Sequence, residues 1–125
     1  MIAYDIDGVF IPDSDPSIFK TLVEYLDWRS NQKPSFIPTG DYVMITGRPE
    51  SDLDWTLSWL DKFFSNKPAK LYHFSTDIRF AKEYKLHVIN TDISILKFIE
   101  SCPIQAQYII DNLTREVEVV VYDQA

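Results

Sequence analysis

Asp5 and Asp7 stand two residues apart, behind the apolar run Ile2-Ala3-Tyr4 and directly before Gly8. On an extended backbone residues i and i+2 project from one face, so both carboxyl groups are expected to enter the same small volume. Two carboxylates that close repel when both are ionised, and one should hold its proton to higher pH unless a cation intervenes. Such a split suits a nucleophile or metal ligand beside a general acid. Gly8 lets the chain turn sharply to form the pocket wall.

Two further apolar runs end in polar residues. Tyr42 to Ile45 leads into Thr46-Gly47-Arg48, and Tyr108 to Ile110 leads into Asp111-Asn112. In open α/β sheets ligands bind beyond the carboxyl ends of the strands. A purely structural sheet has no need of polar chemistry at three strand ends. Pro49 opens a helix whose free backbone N–H groups would favour an anion. Arg48 either reaches substrate or forms a surface salt bridge. His73 and His87 are too few and too far apart for a zinc site, and nothing supports a Ser-His-Asp triad.

The elements that must position these groups follow from periodicity. Strands are expected at residues 2–6, 42–45, 70–74, 108–110 and 117–122. A first helix should start at Asp15-Pro16 and run to about Arg29, with Ile18, Phe19, Leu22, Val23 and Leu26 on its apolar face. A second opens at Pro49-Glu50-Ser51, with Leu53, Leu57, Leu60 and Phe64 on one face, and closes at Asn66-Lys67-Pro68. Trp55 and Trp59 should pack together on it. A third runs from about Lys85 with Ile89, Ile93, Leu96 and Ile99 in register, and Pro103 ends it. Residues 75–83 carry no clear pattern. The expected order, β-α-β-α-β-α-β-β, argues for one α/β domain over residues 1–125 with a mainly parallel sheet.

Tyr4-Asp5-Ile6-Asp7-Gly8-Val9, Val43-Met44-Ile45-Thr46-Gly47-Arg48 and Tyr108-Ile109-Ile110-Asp111-Asn112 resemble, in order and spacing, the first, second and fourth motifs of the haloacid dehalogenase (HAD) superfamily. The resemblance implies a Rossmann-like three-layer sandwich with five strands in the order 3-2-1-4-5. It also implies a magnesium-dependent phosphohydrolase. Asp5 would attack phosphorus and form an aspartyl-phosphate. Asp7 would protonate the leaving group and then activate water. Thr46 would bind a phosphoryl oxygen, with Gly47 and Arg48 beside the substrate. Asp5, the carbonyl of Asp7, Asp111 and Asn112 would hold Mg²⁺. The third motif is a lysine: Lys85, or else Lys82. Many members carry a second acid in the fourth motif, where this chain has Asn112; Glu116 is another acid nearby. The gaps between motifs leave no room for a large cap domain, and an open site suits a bulky phosphorylated substrate. The alternative is a binding or regulatory module that kept the fold and lost turnover.

The whole-chain figures agree with that reading. With 125 residues, 46% hydrophobic and 25% charged, the chain fits one globular domain with a true core. A net charge of −7 disfavours an extended nucleic-acid surface. The single cysteine, Cys102, implies no internal disulfide. No segment suits a membrane span or a signal peptide, so the expected location is cytoplasmic.

Overall fold

A computed structural model describes residues 1–74 and 80–122. Five parallel strands form one sheet: β1 (Ile2–Tyr4), β2 (Tyr42–Thr46), β3 (Lys70–His73), β4 (Lys97–Glu100) and β5 (Glu118–Val121). Their order is β3-β2-β1-β4-β5, as expected. Among the described residues four α-helices alternate with them: α1 (Leu22–Ser30), α2 (Leu53–Phe63), α3 (Ala81–Thr91) and α4 (Pro103–Asn112). The result is a Rossmann-like α/β fold.

β2 shows why the sheet is layered on both faces. All five of its residues are buried. Tyr42 and Met44 enter one core with Phe10, Trp59, Leu60 and Phe64. Val43 and Ile45 enter the other with Val88, Ile89, Phe98 and Ile109. A strand covered on both sides reads as a continuous apolar run, as this one does.

The chain departs from the expected elements after Lys85. The expected third helix is in fact α3, a turn, β4 and the start of α4. Ile93 and Leu96, apparently in register with Ile89, are 79% and 63% exposed. Asp92 reverses the chain: its Oδ1 accepts the Ser94 N–H at 3.0 Å, and its carbonyl accepts the Ile95 N–H at 3.1 Å. Phe98, now on β4 and fully buried, pairs with Ala3 of β1. The expected strand at 108–110 is the middle of α4, where Ala106 and Ile109 face the core and Ile110 does not. Pro103 starts this helix rather than ending one. This fourth helix is what lets β5 lie parallel to β4, because parallel neighbours need a crossover.

The first helix also begins later than expected. Asp15 caps only a single 3-10 turn, Pro16–Ile18, and Thr21 caps α1 by accepting the Glu24 N–H at 3.1 Å. Ile18, Leu22 and Val23 are exposed, whereas Leu26 and Arg29 are buried. On α2, Trp59 is buried and donates Nε1–H to the Gln32 carbonyl at 2.8 Å, and Trp55 and Trp59 both line a groove between α1 and α2. Leu57 faces solvent at 43% exposure. Of the stretch without a pattern, 75–79 lies outside the described residues. Among the described residues no helix is long and apolar enough to cross a membrane.

Candidate active site

The carboxyl edge of the sheet gathers the chemistry. Asp5 directly follows β1, and its N–H donates to the Ile99 carbonyl at 2.9 Å. That bond extends the β1–β4 ladder and fixes Asp5 beside Glu100, the last residue of β4. Asp5 is 5% exposed and Glu100 is fully buried. Lys85 reaches them from α3. Its Nζ lies 2.9 Å from Glu100 Oε2, 3.4 Å from Asp5 Oδ1 and 2.8 Å from Gln105 Oε1.

Two glycines permit this closeness. A Cβ on Gly47 would stand 2.6 Å from the Ala81 Cβ, so only glycine lets α3 come near enough for Lys85 to reach. Gly8 has φ +83°, and a Cβ there would meet Ser101 Oγ at 2.5 Å. Ser101 uses that space. Its Oγ–H donates to the Asp7 carbonyl at 2.9 Å and lies 3.4 Å from Asp5 Oδ2. Glu100 Oε1 accepts the N–H groups of Ser101 and Cys102 at 3.0 and 3.2 Å, at the start of α4.

Asp7 is held differently. Arg48 grips both of its oxygens: Nε to Oδ2 and Nη2 to Oδ1, each 2.9 Å. The guanidinium is buried and continues inward, with Nη1 donating to Thr56 Oγ1 at 3.0 Å. Thr56 Oγ1 donates to the Asp52 carbonyl at 3.2 Å and lies 3.3 Å from His73 Nε2. So Arg48 makes an ion pair that orients Asp7, with the guanidinium buried and the carboxylate partly exposed to the cavity.

The electrostatics divide the two aspartates. Burial pushes the Asp5 carboxyl well above the usual carboxylate range; Lys85 opposes that shift and Glu100 adds to it. Burial also works against ionised Asp7, but the Arg48 pair outweighs it and holds the group below the usual range. The two aspartates do differ, with Asp5 on the raised side, but burial and Arg48 divide them far more than their mutual repulsion does. Burial disfavours the Lys85 ammonium, yet Asp5 and Glu100 more than offset this and its pKa is raised.

These groups line a cavity of about 250 Å³. Of the residues expected at the site, Asp5, Asp7, Gly47, Arg48 and Lys85 are on its wall. Thr46 is not: it is buried, and its Oγ1 accepts the Arg48 N–H at 3.1 Å. Lys82 lies 4.7 Å over the Tyr108 ring and is not on the cavity wall, whereas Lys85 is.

Asp111 and Asn112 are not in the site, which corrects their assignment as metal ligands. Both are exposed in the last turn of α4, where Asp111 accepts from Gln107 Nε2 at 2.8 Å. α4 starts at the site and leads away from it; at 1.5 Å per residue its end is roughly 15 Å off. Glu116, also exposed, lies beyond it before β5. The acid beside Asp5 is Glu100. Its signal was the apolar pair Phe98-Ile99 followed by an acid and then by a proline suited to the first turn of a helix. Ser101, Gln105, Arg29, Tyr25 and Asp13 also line the cavity without having been expected there.

Oxygen donors of the kind a hard divalent cation takes stand together here, although both Glu100 oxygens are already engaged, Oε2 by Lys85 and Oε1 by the Ser101 and Cys102 N–H groups. Two buried carboxyl groups, Asp5 and Glu100, share one ammonium, and the Asp7 carbonyl is beside them. Among the described residues no three acidic, His or Cys side chains form a cage. That is compatible with Mg²⁺, which commonly takes one or two carboxylates and keeps several waters. No protein-family model matches this chain, and no curated protein or solved structure matches it significantly.

Proposed function

We propose that this chain is a magnesium-dependent phosphohydrolase of the HAD type, acting through an aspartyl-phosphate on Asp5. The observation that carries this reading is the convergence of Asp5, Lys85 and Glu100 at the carboxyl edge of the sheet, with Asp7 two residues beyond. Asp5 attacks phosphorus and the ester oxygen leaves; water then attacks the acyl-phosphate and frees Asp5 and inorganic phosphate. A bound Mg²⁺, held by Asp5, Glu100 and the Asp7 carbonyl, would offset charge between nucleophile and substrate. Lys85 holds Asp5 in place and supplies positive charge to the phosphoryl group. Asp5 is ready to attack once Lys85 and a bound cation offset the burial that raises its carboxyl. Asp7, held ionised by Arg48, must first take up a proton from solvent before it can deliver one to the leaving oxygen. As a carboxylate it then takes one from the attacking water. Both steps require one Asp7 oxygen to turn from Arg48 toward the substrate.

A generic aryl phosphate tests this. Turnover should require Mg²⁺, stop with chelator, and vanish in Asp5→Asn. Unchanged activity in Asp5→Asn overturns the assignment. The two-point grip of Arg48 on Asp7 favours a second reading, a module that binds phosphate groups with little turnover. Beryllofluoride binding to Asp5 without aryl phosphate hydrolysis would select that reading.

A further inference from the structure

We propose that Arg29 forms a second anion subsite, so that the preferred ligand is a phosphate ester whose leaving group carries a carboxylate or another phosphate. The phosphatase reading sets which end of the ligand meets Asp5; the subsite itself stands on separate observations.

Arg29 is 4% exposed, projects from α1 and lines the same cavity as Asp5 and Asp7. A guanidinium carries five N–H donors. Among the described residues, the side chain makes one hydrogen bond, Nη2 to Asp52 Oδ2 at 3.0 Å. Its Nε is buried with no partner. Arg48, the other buried arginine on the wall, has Nε, Nη1 and Nη2 all engaged. Buried donors left unpaired are costly, and a charged one more so. The Tyr25 ring backs the guanidinium, with Arg29 Cζ 5.3 Å from its centroid, and Tyr25 is braced in turn by Phe19 and Trp28. Arg29 lines the same cavity as Asp7, the residue assigned to the leaving oxygen. A planar, partly unspent guanidinium on the cavity wall suits the oxygen of a carboxylate or phosphate.

Phosphonates with an inert P–C bond separate binding from turnover. Calorimetry with Mg²⁺ present would compare propylphosphonate with 3-phosphonopropionate and 4-phosphonobutyrate. At least one carboxylate-bearing probe should bind wild type tenfold or more tighter than propylphosphonate. That ratio should fall toward one in Arg29→Gln/Asp52→Asn, which removes both partners of the buried pair and leaves no orphaned charge. It should persist in Lys67→Gln, a surface control. Equal affinities in wild type overturn the subsite, whether or not the double variant folds, as does a ratio unchanged in a folded double variant. Failure of aryl phosphate turnover with the ratio intact would reject the phosphatase reading and leave the subsite standing.

Discussion

At the scale of single residues, the site is a small set of charges that depend on one another. Lys85 is the only ammonium within hydrogen-bonding reach of Glu100 among the described residues, and it also faces Asp5. Lys85→Met would leave two buried carboxyl groups without their cation. It should cost about 3–5 kcal/mol of stability, read by urea unfolding, and abolish turnover. Asp5→Asn should lower kcat for an aryl phosphate by at least about a thousandfold while the fold survives. Glu100→Gln should raise the Mg²⁺ concentration needed for half-maximal activity. Asp111→Asn should leave both activity and the Mg²⁺ requirement within about twofold of wild type, since surface changes away from a site are nearly neutral. A strong effect of Asp111→Asn would return the metal site to the end of α4.

At the scale of elements, glycine and aspartate set how closely the pieces approach. Gly47→Ala puts a methyl group 2.6 Å from the Ala81 Cβ, so α3 must shift outward and carry Lys85 with it. The expected outcome is about 1–3 kcal/mol lost to overpacking, with activity falling further than stability. Asp92 joins three elements: it caps the turn before β4, and its Oδ2 accepts from Tyr72 Oη at 2.7 Å and Lys70 Nζ at 2.9 Å on β3. Burial opposes its ionisation, but the bonds from Ser94, Lys70 and Tyr72 outweigh that and hold its carboxyl below the usual range. A group lowered in the folded state binds its proton more readily when unfolded. The stability it provides is therefore full above the ordinary carboxylate range and is lost as pH falls through and below it. Asp92→Asn should reduce stability at neutral pH by about 1–3 kcal/mol. The gap to wild type should narrow as the solution is acidified, measured by thermal unfolding against pH.

At the scale of the whole molecule, the parallel order β3-β2-β1-β4-β5 brings residues from distant parts of the chain to one edge. Asp5, Arg48, Lys85 and Glu100 come from four different elements or the loops after them, so the site exists only in the folded chain. A cation that binds this site stabilises the folded state alone. At a hundredfold excess over its dissociation constant the gain is about 2.7 kcal/mol. Mg²⁺ should thus raise the unfolding temperature of wild type, and Asp5→Asn and Glu100→Gln should lose that rise. A rise that survives in both variants would place the cation elsewhere.

What could be read from the sequence was local. Asp-x-Asp-Gly after an apolar run, Thr46-Gly47-Arg48 after another, and the alternation of strands and helices pointed to the fold class and to several residues on the cavity wall. The strand order came only from the family resemblance. These signals lie within a few neighbouring residues, where strand geometry and glycine's freedom act directly. The acid beside Asp5, Glu100, has a local signal too, but a competing pattern hides it. Ile89, Ile93, Leu96 and Ile99 satisfy a helical period as a string, and Asp111 after Tyr108-Ile109-Ile110 imitates a strand end. Only the packing of Phe98 against the β1 and β2 layer, with Ile93 and Leu96 left in solvent, makes 97–100 a strand and puts Glu100 beside Asp5. The pairing of Arg48 with Asp7 and the partly unspent Arg29 were likewise decided by tertiary contact. Burial is a property of what surrounds a side chain, and the surroundings of these arginines come from segments far apart in the chain.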